Sequence, residues 1–282
     1  MLSLSPASAT DSPPWKRNSA REPRAQFPFV PFAKNSNAAC PEKRHAFVVH
    51  ANMKTKEQPL RKLIAITHIS MDGVMQSPGG PDEDPRNGFS HGGWIWPFSD
   101  ASAGDAVGEL ISSDFALLLG RRTYEIFAAY WPHAGTNPIG RAFNQATKYV
   151  ATRSLDRLSW EHSQRLGADA VAGIRELKSS SGPTLHCWGS GELLQTLIAA
   201  DLVDEYRIWV YPVILGAGKR LFEKGAPPRA LSLVETRRTP KGVLLNTYRA
   251  AGPIPTTSAP PDSPSEDERA RRKKLAAENA GR

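Results

Sequence analysis

Between residues 63 and 200, short apolar runs alternate with segments of helical period, and this restricts the chain to an α/β architecture with parallel strand pairing. Residues 63–69 read as a first strand. A Gly/Pro-rich stretch at 71–100 follows as a long loop, and near 101–113 the residues Val107, Leu110 and Ile111 fall on one helical face. The spacing then predicts a strand at 115–119, a helix from Arg121, a short helix at 138–146 and a strand at 148–151. A helix at 168–178, a strand at 184–188 and a helix at 191–200 complete the alternation. Beyond it the pattern changes. "EYRIWVYPVIL", "LSLVETRR" and "VLLNTYRA", the last two joined by Thr239-Pro240-Lys241-Gly242, read as antiparallel strands closing a mixed sheet.

Three segments are expected: an N-terminal extension at 1–59, a folded domain at 60–251 and a charged tail at 252–282. The extension is rich in Ser, Pro, Ala and Arg without a sustained period, and the tail is a Pro/Ser stretch followed by charges. Both read as disordered. Met53 opens "MKTKEQPLRKLIAITHISMDG", a natural start directly before the first strand, so the preceding residues read as an upstream extension of the reading frame or as a transit peptide.

The formal net charge of +8 lies mostly in the extension, where 9 Lys/Arg face 4 Asp/Glu. The folded segment has 21 against 19, no net basic footprint for nucleic acid, and no specific nucleic-acid partner is expected. Only Cys40 and Cys187 are present, without zinc spacing, and no apolar stretch approaches a membrane span. The expectation is no metal, no membrane and a cytoplasmic location.

Three strand ends carry chemistry suited to phosphate. In "LLLGRRTYEIF" the strand stops at Gly120 and a helix begins with Arg121, Arg122 and Thr123. Two cations at a positive helix start are unfavourable by roughly 0.3–1 kcal/mol each unless an anion binds there. Otherwise they are an ordinary solvated pair. In "LHCWGSGELLQTL" a strand runs into Gly189-Ser190-Gly191 and then Glu192 and Leu193, where glycines allow close backbone approach to a pyrophosphate or simply make a tight turn. In "YVATRSL" the triplet Thr152-Arg153-Ser154 offers hydroxyls and a guanidinium for a ribose phosphate, or caps a loop. Ligands of α/β sheets sit beyond the carboxyl ends of parallel strands, and all three motifs fall there.

The long loop reads as a substrate wall. Asp72, followed by Gly73, is either a turn former or a proton-handling group. His91 has no visible acid partner and reads as a loop histidine. Trp94, Trp96 and Trp131 either stack on a planar ring or bury area in the core.

From about Arg61 to Ala250 the chain resembles the stand-alone members of the dihydrofolate reductase-like superfamily related to the reductase domain of bacterial riboflavin biosynthesis. The stretches that carry the resemblance are "RKLIAITHISMDGVMQSPGGP", "LLLGRRTYEIFAAYWP", "KYVATRSL", "WGSGELLQTLIAADLVDEYRIWVYPVILGAGKRLF" and "GVLLNTYRA". The resemblance implies a dihydrofolate reductase-like three-layer fold around a central mixed sheet, mostly parallel with antiparallel C-terminal strands. It implies that Gly120 to Thr123 and Gly189 to Leu193 face the phosphates of NADPH and that Thr152 to Ser154 face its adenosine end. Asp72 becomes the candidate catalytic residue, with Gly73, Trp94, Tyr124 and Trp131 on the substrate side.

Three departures bear on substrate. Asp100, Asp105 and Glu109 lie where the folate enzymes place a pterin-binding carboxylate, but none sits in a matching motif. Ser190 stands where those enzymes have a second glycine, and no counterpart of the riboflavin enzyme's deaminase half is found. The expected function is an NADPH-dependent reductase, riboflavin-type or dihydrofolate reductase-like, acting on a small pterin- or pyrimidine-like ring or another C=N or C=O substrate. A non-catalytic NADPH-binding module is the alternative. A homodimer is expected, because "EYRIWVYPVIL" is apolar on both faces, with Ile208, Val210 and Pro212 against Trp209, Tyr211 and Val213.

Overall fold

A computed structural model describes residues 61–222, 226–255 and 263–280. The expected disordered extension at 1–59 and the start at Met53 lie outside them. Among the described residues the strands and α-helices follow in the order β1 (Leu63–Ser70), α1 (Ala101–Ile111), β2 (Phe115–Gly120), α2 (Arg121–Tyr130), α3 (Pro138–Gln145), β3 (Lys148–Ala151), β4 (Ser163–Arg165), α4 (Ala170–Ser179), β5 (Thr184–Trp188), α5 (Gly191–Ala199), β6 (Glu205–Tyr211), β7 (Leu231–Arg238), β8 (Leu244–Ala250) and α6 (Glu266–Ala280). The strands form one sheet in the order β4-β3-β2-β5-β1-β6-β8-β7. Pairing is parallel from β4 through β6 and antiparallel for β6, β8 and β7.

β1 is apolar on both sides because it lies at the centre of the sheet. Leu63 and Ala65 pack into one cluster with Ile174 of α4 and Leu193, Leu194, Leu197 and Ile198 of α5. Ile64 and Ile66 pack into the opposite cluster, which Val107, Leu110, Tyr124 and Phe143 of α1, α2 and α3 cover. The result is three layers, and each fully buried leucine contributes about 1.5–3 kcal/mol of transfer free energy. A third cluster joins Trp209 and Tyr211 to Val74, Phe89 and Trp94 of the long loop, fixing that loop against the end of β6. Gly218 makes this close approach possible: a Cβ there would lie 2.6 Å from Val74.

The chain's own layers cover both faces of β6, since Ile208 enters the first cluster and Trp209 and Tyr211 the third. Its double-sided pattern is therefore accounted for without a partner. Two elements went unforeseen. β4 is a three-residue polar strand, and α6 has no buried residue. Within the charged tail, α6 is held by its own ion pairs, among them Glu268 with Arg271 and Arg272.

Candidate functional site

A cleft of about 1600 Å³ opens at the carboxyl ends of the parallel strands. The long loop walls one side with Met75 to Asp84, Ile95 and Trp96, and the first turns of α2 and α5 form the other.

At the α2 and α5 end the three strand-end motifs, at 120–123, 152–154 and 189–193, line the same cleft. Gly120 N–H donates to Ser190 Oγ at 3.0 Å, and Ser190 N–H donates to Thr123 Oγ1 at 3.0 Å, so the two helix starts are tied together. This explains the conformation of the connecting turn: Gly189 has φ +55° and Ser190 φ +51°, both left-handed. The Gly189–Ser190 peptide is trans, as is every peptide among the described residues. Asp100, Asn137 and Asp169 cap α1, α3 and α4. No side chain caps α2 or α5, which leaves their first-turn N–H groups to a ligand or water.

The arginines here differ in their partners. Arg121 pairs with Glu125, and Arg122 pairs with Glu192 at 3.0 Å, both exposed contacts worth about 0–1 kcal/mol. Arg153 has no carboxylate partner among the described residues and lies in the cleft wall. Thr152 Oγ1 accepts from the N–H groups of Ser154 and Leu155, so it shapes the turn that presents Arg153. Uncapped helix N–H groups, a guanidinium and hydroxyls form a donor set that fits a dinucleotide's phosphates. A Cβ at Gly191 would lie 3.2 Å from Met75 Sδ, narrowing the groove at that point.

The other end of the cleft is aromatic. His68, at the end of β1, lies beside Trp209 in the sheet register, and their rings meet edge to face at 5.0 Å. His68 Nδ1 is 3.0 Å from Tyr211 Oη. Burial pulls the His68 pKa down to about 4 and raises that of Tyr211, so both groups are neutral near pH 7. The buried Tyr211 hydroxyl has no other acceptor among the described residues. Which of the two groups donates in this contact depends on the imidazole tautomer. His68 Nε2 has no hydrogen-bond partner among the described residues.

The structure corrects several expected roles. Asp72 is outside the cleft lining. Its carboxylate accepts from Ser70 Oγ at 2.6 Å, Leu215 N–H at 3.1 Å and Gly216 N–H at 2.9 Å. The Ser70 bond foremost, with those of Leu215 and Gly216, outweighs desolvation and lowers its pKa to about 2. These bonds make Asp72 a clamp between the turn after β1 and the segment at 215–216. Gly73 makes the same tight turn, with φ +83°, and does not line the cleft. Trp94 is buried in the loop cluster, its indole N–H donating to Gln76 O at 2.8 Å. Tyr124 is also buried, its hydroxyl accepting from Trp160 N–H at 2.9 Å. Trp131 does line the cleft, together with Gly120 to Thr123, Thr152 to Ser154 and Gly189 to Leu193.

His68, Trp188, Trp209 and Tyr211 were not expected as site residues from the sequence, yet all line the cleft. A signal existed. His68 is a polar residue near the carboxyl end of an apolar strand, where a ligand is expected, and Trp209 and Tyr211 alternate onto one face of β6. The parallel register that brings β1 beside β6 was not in the sequence pattern.

The profile of the RibD C-terminal domain matches residues 61–245. The chain is 26% identical over 190 residues to the uncharacterized protein YwjB of Bacillus subtilis (strain 168), covering 67% of this chain and 99% of that one. It is 23% identical over 201 residues to the uncharacterized protein YyaP of the same strain, covering 68% and 96%. Among solved structures it is similar to a dihydrofolate reductase from Enterococcus faecalis complexed with NADP(H) and RAB-propyl, at 17% identity and a TM-score of 0.45, covering 67% of this chain and 96% of that one.

Proposed function

The chain belongs to the RibD C-terminal domain family, and from that premise we propose an NADPH-dependent reductase acting on a small heteroaromatic or other C=N or C=O substrate. One observation carries the reading: a single cleft joins an uncapped, arginine-flanked pair of helix starts to an aromatic compartment at the ends of β1 and β6. The polyanionic part of the cofactor fits the first, and a flat ring fits the second. Bound NADPH supplies hydride. The chain's own residues hold the phosphates through the α2 and α5 N–H groups, position the rings against Trp209 and exclude water with the loop at 75–100. Arg153 selects the additional phosphate of NADPH through charge-assisted bonds.

The test is to saturate the protein with NADPH, present pterins, pyrimidines, flavins and small carbonyl compounds, and follow loss of the reduced cofactor. Consumption with at least one class supports the reductase; tight cofactor binding without consumption favours a binding module. For assembly the reading is a homodimer through the β7 edge, where Leu233 and Val234 are exposed. Light scattering at micromolar concentration checks it, and a strict monomer contradicts it.

A further inference from the structure

We propose that a second cavity, between α1 and the antiparallel strands, binds a short amino acid as a zwitterion, with the carboxylate on Arg207 and the ammonium on Glu235. The inference does not depend on the reductase reading: Trp209 lines both this cavity and the cleft, but the charged groups used here line the second cavity alone.

The cavity holds about 270 Å³, and two rows of side chains from β6, β8 and β7 make its floor. Arg207, Thr247 and Glu235 are cross-strand neighbours in one row, and Trp209, Leu245 and Arg237 are neighbours in the next. Opposed residues share a face of the sheet, so both rows point the same way. Glu109 of α1 covers them, its carboxylate accepting from both terminal nitrogens of Arg237 at 2.9 and 2.6 Å.

The charges do not cancel locally. At the β6 end Arg207 and Arg249 share the one buried carboxylate of Glu205, at 2.7 and 3.2 Å, which leaves a positive charge over. At the β7 end Glu109 and Glu235 share Arg237, at 2.6 and 3.3 Å, which leaves a negative charge over. The Arg207 guanidinium bonds only through Nε among the described residues, so its terminal N–H groups remain as donors. Between the two ends Thr247 is 4% exposed, and its hydroxyl has no hydrogen-bond partner among the described residues. A buried polar group left unmet calls for a ligand or water, and residual charges of opposite sign on one row call for a ligand that carries both.

Spacing selects its size. Strands lie about 4.8 Å apart and side chains stand roughly perpendicular to the sheet, so Arg207 and Glu235 rise about 10 Å from each other. With a charge-assisted bond of about 2.8 Å at each end, the ligand's own charges should lie about 4 Å apart. A short amino acid meets that spacing.

The probe is β-alanine, compared with propionate and propylamine, which have nearly the same size and one charge each. Affinities for the full-length protein are measured by saturation-transfer NMR at low salt, with and without saturating NADPH. β-Alanine should bind in the millimolar range, at least about tenfold more tightly than either control, and NADPH should not displace it. Glu235→Gln keeps the shape and removes the ammonium's partner, so it should weaken β-alanine about tenfold and leave propionate unchanged. Arg207→Gln should weaken β-alanine and propionate together; if it does not fold, the exposed Glu235→Gln decides the question. Equal binding of either control, no binding of β-alanine up to tens of millimolar, unchanged affinity in folded Glu235→Gln, or displacement by NADPH overturns the assignment.

Discussion

Ser190 Oγ accepts the backbone N–H of Gly120 at 3.0 Å, joining the start of α5 to the end of β2. Ser190→Ala removes that acceptor and leaves a half-buried N–H unmet, so it should cost about 1–3 kcal/mol in urea unfolding and weaken NADPH. Ser190→Gly loses the same bond but relieves the φ of +51°, and should cost less than the alanine variant. Equal stability of all three proteins would show that the link is idle.

Gly189→Val places a β-branched residue at φ +55°, a conformation such residues rarely adopt. The added Cβ would meet only Thr123, at 3.9 Å, so strain rather than collision sets the penalty, about 1–3 kcal/mol. NADPH affinity should fall as the turn distorts. A folded variant with unchanged affinity, read by fluorescence titration, would make this turn purely structural.

The strands and most helices were legible because their apolar periods are strong, as in β1 and in α5 with Leu193, Leu194 and Leu197. The meeting of the motifs at 120–123, 152–154 and 189–193 in one cleft was legible because each is local and lies at a strand end. The ring end was not: His68 and Tyr211 are 143 residues apart, and only the parallel register of β1 and β6 brings them together. The surroundings of Asp72 were hidden for a related reason. The sequence shows a carboxylate beside a turn, but its partners, Leu215 and Gly216, come from the far end of the domain.

Asp72→Asn should spare cofactor affinity and turnover, since the residue lies outside the cleft, and should lower stability near neutral pH by about 1–3 kcal/mol through its charged hydrogen bonds. The sign with pH follows from a folded pKa of about 2 against an ordinary 3.8. The carboxylate's contribution is complete above pH 3.8 and disappears as pH falls through 2, so wild type and variant should converge in acid. A large loss of turnover in the folded variant would restore a catalytic role.

His68 and His186 are both held down to about 4 from 6.5, in each case chiefly by burial. The unfolded chain therefore binds more protons between those values. Stability should be full above pH 6.5 and fall as pH drops to 4, by up to about 1.4 kcal/mol per pH unit for each histidine. Chemical unfolding at stepped pH should show His68→Asn reducing that slope by about one proton. Parallel slopes would contradict the buried, neutral imidazole.

The central claim is a dinucleotide in the cleft with its additional phosphate on Arg153, and titration of NADPH and NADH into the wild type and Arg153→Ala tests it most directly. NADPH should bind the wild type more tightly by roughly 1.5–3 kcal/mol, and Arg153→Ala should remove most of that difference while leaving NADH nearly unchanged. Equal affinities for the two cofactors in the wild type, or no binding of either, would contradict it.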